Sequence, residues 1–183
     1  MLKPQDIVIL LKILAMLTLS KGKPDELTQK ELATYLCMSI SEVHAGMKRL
    51  ILAGLLGPVD KQHKTILLPI KAACEECLIS AVKYFFPAQL GAYTRGIATS
   101  YAATVFEKHI LIGDDPIPVW PDAAGDQRGL ALEPLYRSVP RSLNQFPDPI
   151  FYELLVLVDA IRTGRVRERN IAIKLLKEKL HGQ

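Results

Sequence analysis

Cysteine, histidine, tryptophan and long apolar runs are all scarce in this chain of 183 residues. It has three cysteines, four histidines and one tryptophan. A small, odd number of cysteines does not make a disulfide framework, so a reducing cytoplasm is the expected compartment. No apolar stretch reaches the roughly 18 residues that a membrane span needs. The longest, 7–17, is broken by Lys12 and preceded by Asp6. It is followed by Leu19-Ser20-Lys21-Gly22-Lys23, which has no small-x-small cleavage site, so a secretory leader is not expected. Net charge is +4, which permits a nucleic-acid partner without requiring one. There is no Walker loop, no H-E-x-x-H and no G-x-S-x-G, and the histidines fall in different expected elements. The expectation is a protein that is not an enzyme and needs no cofactor or metal.

What is there is an ordinary globular balance, 49% apolar and 23% charged, long enough for one large domain or two small ones. Seven of the twelve prolines fall between Pro116 and Pro149. Proline removes a backbone donor and disfavours helix before it, so that stretch should be extended and irregular. Helical patterns lie on either side of it. The first runs from position 4 or 5 to 19 and is apolar on all faces, so a second domain or a partner subunit must cover it. Lys21-Gly22-Lys23-Pro24-Asp25 reads as a turn.

Thr28-Gln29-Lys30-Glu31 and Ser39-Ile40-Ser41-Glu42 both have the capping-box form, a hydroxyl residue followed three places later by glutamate. Two helices should start there, joined so closely that they meet at a steep angle, as in a helix-turn-helix. Leu32, Ala33 and Leu36 form the inner face of the first, and Ile40, Val43, Met47 and Leu50 that of the second. Opposite stand Ser41, Ala45 and Lys48, flanked by His44 and Arg49, a pattern that suits a helix laid in a major groove. Gly54 should end this helix in the left-handed conformation. Residues 58–68 then read as a β-hairpin with a polar, basic tip at Lys61, His63 and Lys64, able to touch phosphate or the minor groove.

In these residues, above all 27–36, 39–43 and 48–56, the chain resembles winged-helix transcription regulators of the MarR-like group. The resemblance covers roughly 5–70 and little of the rest. It implies a dimeric DNA-binding regulator, often controlling its own gene and its neighbours. Residues 1–70 hold nine Lys/Arg against six Asp/Glu, and Glu42 sits on the recognition helix itself. Winged helices also serve as protein-interaction modules, which is the competing reading.

Residues 71–86 look helical. Cys74 and Cys77 form a C-x-x-C pair, but no second pair completes a zinc site and no βαβ setting supports a redox motif. They read as small, semi-buried residues. Residues 91–96 read as a loop and 98–109 as a helix. Trp120 should anchor the proline-rich segment to the core, and Glu133-Pro134-Leu135-Tyr136 should lie as an extended peptide across another surface. Two helices close the chain. One, 149–161, buries Phe151, Leu154, Leu155, Val158 and Ile161. The other carries Val166, Ile173, Leu176 and Leu180, suiting a packed hairpin or a dimer interface, with Gly164 at the joint. Arg162, Arg165, Arg167 and Arg169 there form either a solvated face or an anion or nucleic-acid contact.

The expected fold is therefore mainly α: an N-terminal winged helix-turn-helix over 1–70, with a small β-hairpin wing, and a helical C-terminal region over 71–183 joined through the proline-rich segment. The expected function is a sequence-specific transcriptional repressor, a homodimer on double-stranded DNA. Ser39, Ser41, His44, Ala45 and Lys48 would face the groove. Arg49, Lys61 and Lys64 would lie on phosphate, with His63 at the wing tip and Gln29 and Lys30 on backbone. The alternative is an interaction protein. Its C-terminal region faintly resembles extensions on bacterial winged-helix proteins that accompany nucleotidyltransferase-type toxins, which implies an antitoxin. Ligand sensing in a cleft is a third reading, with no ligand named by the sequence.

Overall fold

The computed structural model describes residues 1–19, 28–61 and 64–182. The expected turn at 21–25 and His63 lie outside the described residues. Helix α1 (Pro4–Leu19) opens with proline, whose missing N–H is no loss in a first turn. Ile7, Val8, Ile9, Leu10 and Leu11 have no exposed surface. A helix buried on every side needs neighbours all round, and α1 packs against both α3 (Ile40–Leu52) and α7 (Pro149–Thr163).

Its two buried charges each address one neighbour. Asp6 accepts from Nε and Nη2 of Arg49 on α3, each at 2.7 Å. Lys12 meets Asp148, the N-cap of α7, at 2.7 Å, with its ammonium over the rings of Tyr35 and Phe151. An unpaired buried charge is strongly destabilising, so each pair holds α1 in one register.

Both capping boxes form. Thr28 caps α2 (Gln29–Tyr35) with Glu31 reaching back, and Ser39 does the same for α3 with Glu42. Leu32, Ala33, Leu36, Val43 and Leu50 are buried as their spacing demands, but Ile40, expected inside, is 53% exposed. α3 ends on Gly54 at φ +71°, and the Leu55 and Gly54 amides close back on Leu50 and Ile51. Strands β1 (Leu56–Lys61) and β2 (Lys64–Pro69) pair antiparallel, Leu56 opposite Pro69 and Lys61 opposite Lys64.

A continuous helical stretch follows: α4 (Lys71–Glu76), a π-helical turn Cys77–Ala81, and α5 (Val82–Phe85).

The mainly α expectation fails in the next segment, and the fold is mixed α/β. β3 (Leu90–Ala98), β4 (Ile117–Pro121) and β5 (Gln127–Leu132) close a small three-stranded barrel. β3 runs antiparallel to both others, with Ile97 opposite Trp120 and Tyr93 opposite Leu130, while β4 and β5 are parallel. The expected loop at 91–96 is therefore strand. The expected helix at 98–109 is the end of β3 and two short 3-10 turns, Ser100–Ala102 and Thr104–Phe106. The proline-rich stretch carries two strands and the short helix α6 (Val139–Gln145).

The strands come so close that a Cβ on Gly129 would stand 1.9 Å from the Ile117 carbonyl oxygen. Glycine there marks close backbone approach rather than a loop.

The barrel is fastened to α7 through one buried carboxylate. Asp159 accepts from Trp120 Nε1 at 2.6 Å, Thr99 Oγ1 at 2.9 Å and Arg162 at 2.6 Å. Trp120 thus anchors its segment as expected, and Arg162, which also donates to the Phe86 carbonyl, is structural rather than free.

α7 packs along α8 (Val166–His181) as a helical hairpin, and Lys179 pairs with Glu153. All five apolar residues expected inside α7 are buried, as are Leu176 and Leu180, whereas Val166 is exposed. One hydrophobic cluster runs from α1 through α3, α4 and α7 to α8. Among the described residues, no helix is long and apolar enough to cross a membrane.

Candidate nucleic-acid interface

Residues spaced by three and four along a helix share a face. On α3 that rule sets Ser41, His44, Ala45 and Lys48 together, with Val43, Gly46 and Leu50 turned inward. Ser41, His44 and Lys48 are exposed and Ala45 is half-buried. The start of α2 adjoins this face, because His44 Nδ1 donates to Gln29 Oε1 at 3.1 Å. Lys30 and Lys48 are exposed and make no ion pair among the described residues. Ser39 is engaged in its capping box, its hydroxyl also 3.1 Å from that of Ser41. Lys61 and Lys64 stand opposite each other in the hairpin ladder.

Arg49, expected on phosphate, is instead held by Asp6, whose carboxylate is fully buried. The signal for this in the sequence is Asp6 itself: an acid in the first turn of an otherwise apolar, buried helix needs a cation partner.

Glu42 is the other correction to the face. A carboxylate on a groove-facing helix would repel phosphate, yet Glu42 points along the flank. It accepts the Tyr136 hydroxyl there, together with the Ser39 N–H and hydroxyl. The tyrosine first, then the Ser39 amide and hydroxyl, hold its carboxyl well below the usual range, down to about 2. Tyr136, the last residue of the Glu133-Pro134-Leu135-Tyr136 peptide, thus docks on the first turn of α3.

The same segment continues into α6, which braces the joint between α2 and α3. Ser142 donates to the Tyr35 carbonyl at 2.6 Å, Cys37 donates to Gln145 at 3.1 Å, and the rings of Tyr35 and Phe146 meet edge to face. Cys37 itself sits at φ 51°, a left-handed turn residue.

No family model, curated protein or solved structure matches the chain. What the face can do must come from its own chemistry. Among the described residues it offers the unpaired ammonium groups of Lys30 and Lys48 and hydroxyl and imidazole groups of hydrogen-bonding reach, and the carboxylates beside it, Glu31 and Glu42, are engaged in their capping boxes.

The C-x-x-C pair does not join it. Burial pushes the Cys74 thiol up to about 12 and also raises that of Cys77, so neither is a ready thiolate. Cys74 donates to the Leu55 carbonyl at 3.4 Å. Among the described residues, no three His, Cys, Asp or Glu side chains are grouped for a metal.

A second surface is apolar. Leu52, Tyr84 and Phe85 are 84%, 73% and 70% exposed. Tyr84 and Phe85 border a groove of about 450 Å³ that also includes Leu2, Ala53 and Cys77. Exposed aromatic side chains beside a largely apolar groove suit a protein-contact surface.

Proposed function

We propose that the protein is a sequence-specific DNA-binding transcriptional regulator, a repressor acting as a homodimer, with α3 laid in the major groove. The observation that carries this reading is the outer face of α3. Ser41, His44 and Lys48 are exposed in line there, while the one acid on the helix is drawn aside by Tyr136. Ser41, His44 and Ala45 meet base edges, and Ser39 borders them. Lys48, Gln29 and Lys30 reach backbone, and the hairpin lysines Lys61 and Lys64 take the neighbouring phosphates. The reading is not enzymatic. Footprinting on the DNA upstream of its own gene tests it: a dimer protects two half-sites about 34–36 Å apart, one helical turn. A single unpaired footprint, or none, counts against it.

The apolar groove beside Tyr84 and Phe85 favours a second reading, a protein-interaction role. In this reading the chain binds a separately encoded enzyme, as an antitoxin does a nucleotidyltransferase. Co-expression with a nucleotidyltransferase encoded beside it discriminates between the two. Co-elution from a sizing column supports the partner reading, and separate elution argues against it.

A further inference from the structure

We infer that Arg137, from the C-terminal half of the chain, is part of the nucleic-acid surface, a phosphate contact positioned beside α3 by the bond between Tyr136 and Glu42. The inference rests on the reading of α3 as the DNA-contacting helix.

Glu42 and Arg49 lie two turns apart on one flank of α3, roughly a quarter-turn from the Ser41–Lys48 face. When a helix enters the major groove, its flanks run past the phosphates that border the groove. On this flank the helix's own cation is unavailable, because Asp6 holds Arg49 through two hydrogen bonds. Tyr136 docks on the same flank through Glu42, and the next residue is Arg137. Arg137 is exposed and makes no ion pair within 4.0 Å among the described residues. Its guanidinium carbon lies 5.9 Å from the Tyr136 ring centroid, and its charge reaches Glu42.

The backbone on either side is fixed. Leu135 and Val139 are buried, and α6 is tied to the carbonyl of Tyr35 by Ser142. A guanidinium presented from anchored backbone needs no backbone ordering when it binds, and its planar fork suits two phosphate oxygens. Tyr136 acts through Arg137 and Glu42, so it is a positioning residue.

The test is fluorescence anisotropy of the full chain on two probes, a mixed-sequence duplex and the duplex upstream of its own gene, titrated with salt. Arg137→Gln is expected to lower the slope of log K against log salt by about 0.9, one phosphate's share, and to weaken both duplexes by the same factor. Arg137→Lys is expected to restore the slope. Tyr136→Phe should weaken both duplexes less than Arg137→Gln. It should also raise the Glu42 pKa from about 2 towards 4.5, followed by carboxyl NMR without DNA.

If the wild type binds DNA and Arg137→Gln changes neither slope nor affinity, the inference falls and the reading of α3 stands. Tighter binding by Arg137→Gln also overturns it, because the segment would then shield α3. Failure of the wild type to bind either duplex overturns both.

Discussion

Glu42 does two jobs with one carboxylate. It closes the capping box of α3 and receives the hydroxyl of Tyr136 from more than ninety positions away. Its folded pKa, about 2, is below the ordinary 4.5, so the stabilisation it gives is complete above 4.5 and is lost as pH falls through 2. Removing the tyrosine hydroxyl moves the folded value towards the unfolded one. Tyr136→Phe is therefore expected to flatten the acid dependence of stability across that window, relative to wild type. Urea unfolding at a series of pH values measures this, and parallel pH curves for the two proteins would refute it. Capping of Ser39 by Glu42 is written locally in the sequence, three residues apart, and was legible there. Its bond with Tyr136 is not, since nothing local pairs positions 42 and 136. The peptide 133–136 could be read only as lying across some surface.

At the scale of elements, the legible ones are those whose signal is local. The capping boxes start α2 and α3, the three-and-four spacing of Leu154, Leu155, Val158 and Ile161 gives α7, and Gly54 and Gly164 end helices. The three-stranded barrel was missed for a physical reason. Much of β3 is exposed, with burial appearing only towards its end, so it lacks the clean alternation of a half-buried strand. Its glycines and the prolines of β4 carry the signature of loops. Gly129 in fact marks where β5 passes close to the Ile117 carbonyl, a condition visible only once the strands are paired. Gly129→Ala forces backbone apart, as overpacking does, and is expected to cost about 1–3 kcal/mol. The near-UV circular dichroism of Trp120, which is held against Asp159, should report the loosening. An unchanged melting temperature and tryptophan signal would show that the strands are less tightly closed than described.

At the scale of the whole molecule, the α1 helix explains why the two halves of the chain are packed together. The sequence required it to be covered on several sides, and the cover comes from α3 on one side and α7 on another. Lys12 and Asp148 tie these halves 136 positions apart, inside the core. Lys12→Ala leaves Asp148 without its cation and is expected to cost about 3–5 kcal/mol in chemical denaturation. The pair Lys12→Met with Asp148→Asn should recover much of that, since a neutral Asn can still cap α7. If the double variant is as unstable as the single one, the charge is not the source of the cost. The same packing bears on function. α1 packs behind α3, α6 braces the joint between α2 and α3, and Tyr136 takes the flank, which leaves the outer face of α3 open. That face is where the duplex would dock. The most direct test of this is binding of the purified chain to the DNA upstream of its own gene, by anisotropy with salt titration and nonspecific competitor, comparing wild type with Lys48→Ala. Wild-type binding is expected to survive competitor, and the salt slope of the variant to be lower by about 0.9. Binding that disappears with competitor, or a slope that Lys48→Ala leaves unchanged, would contradict it.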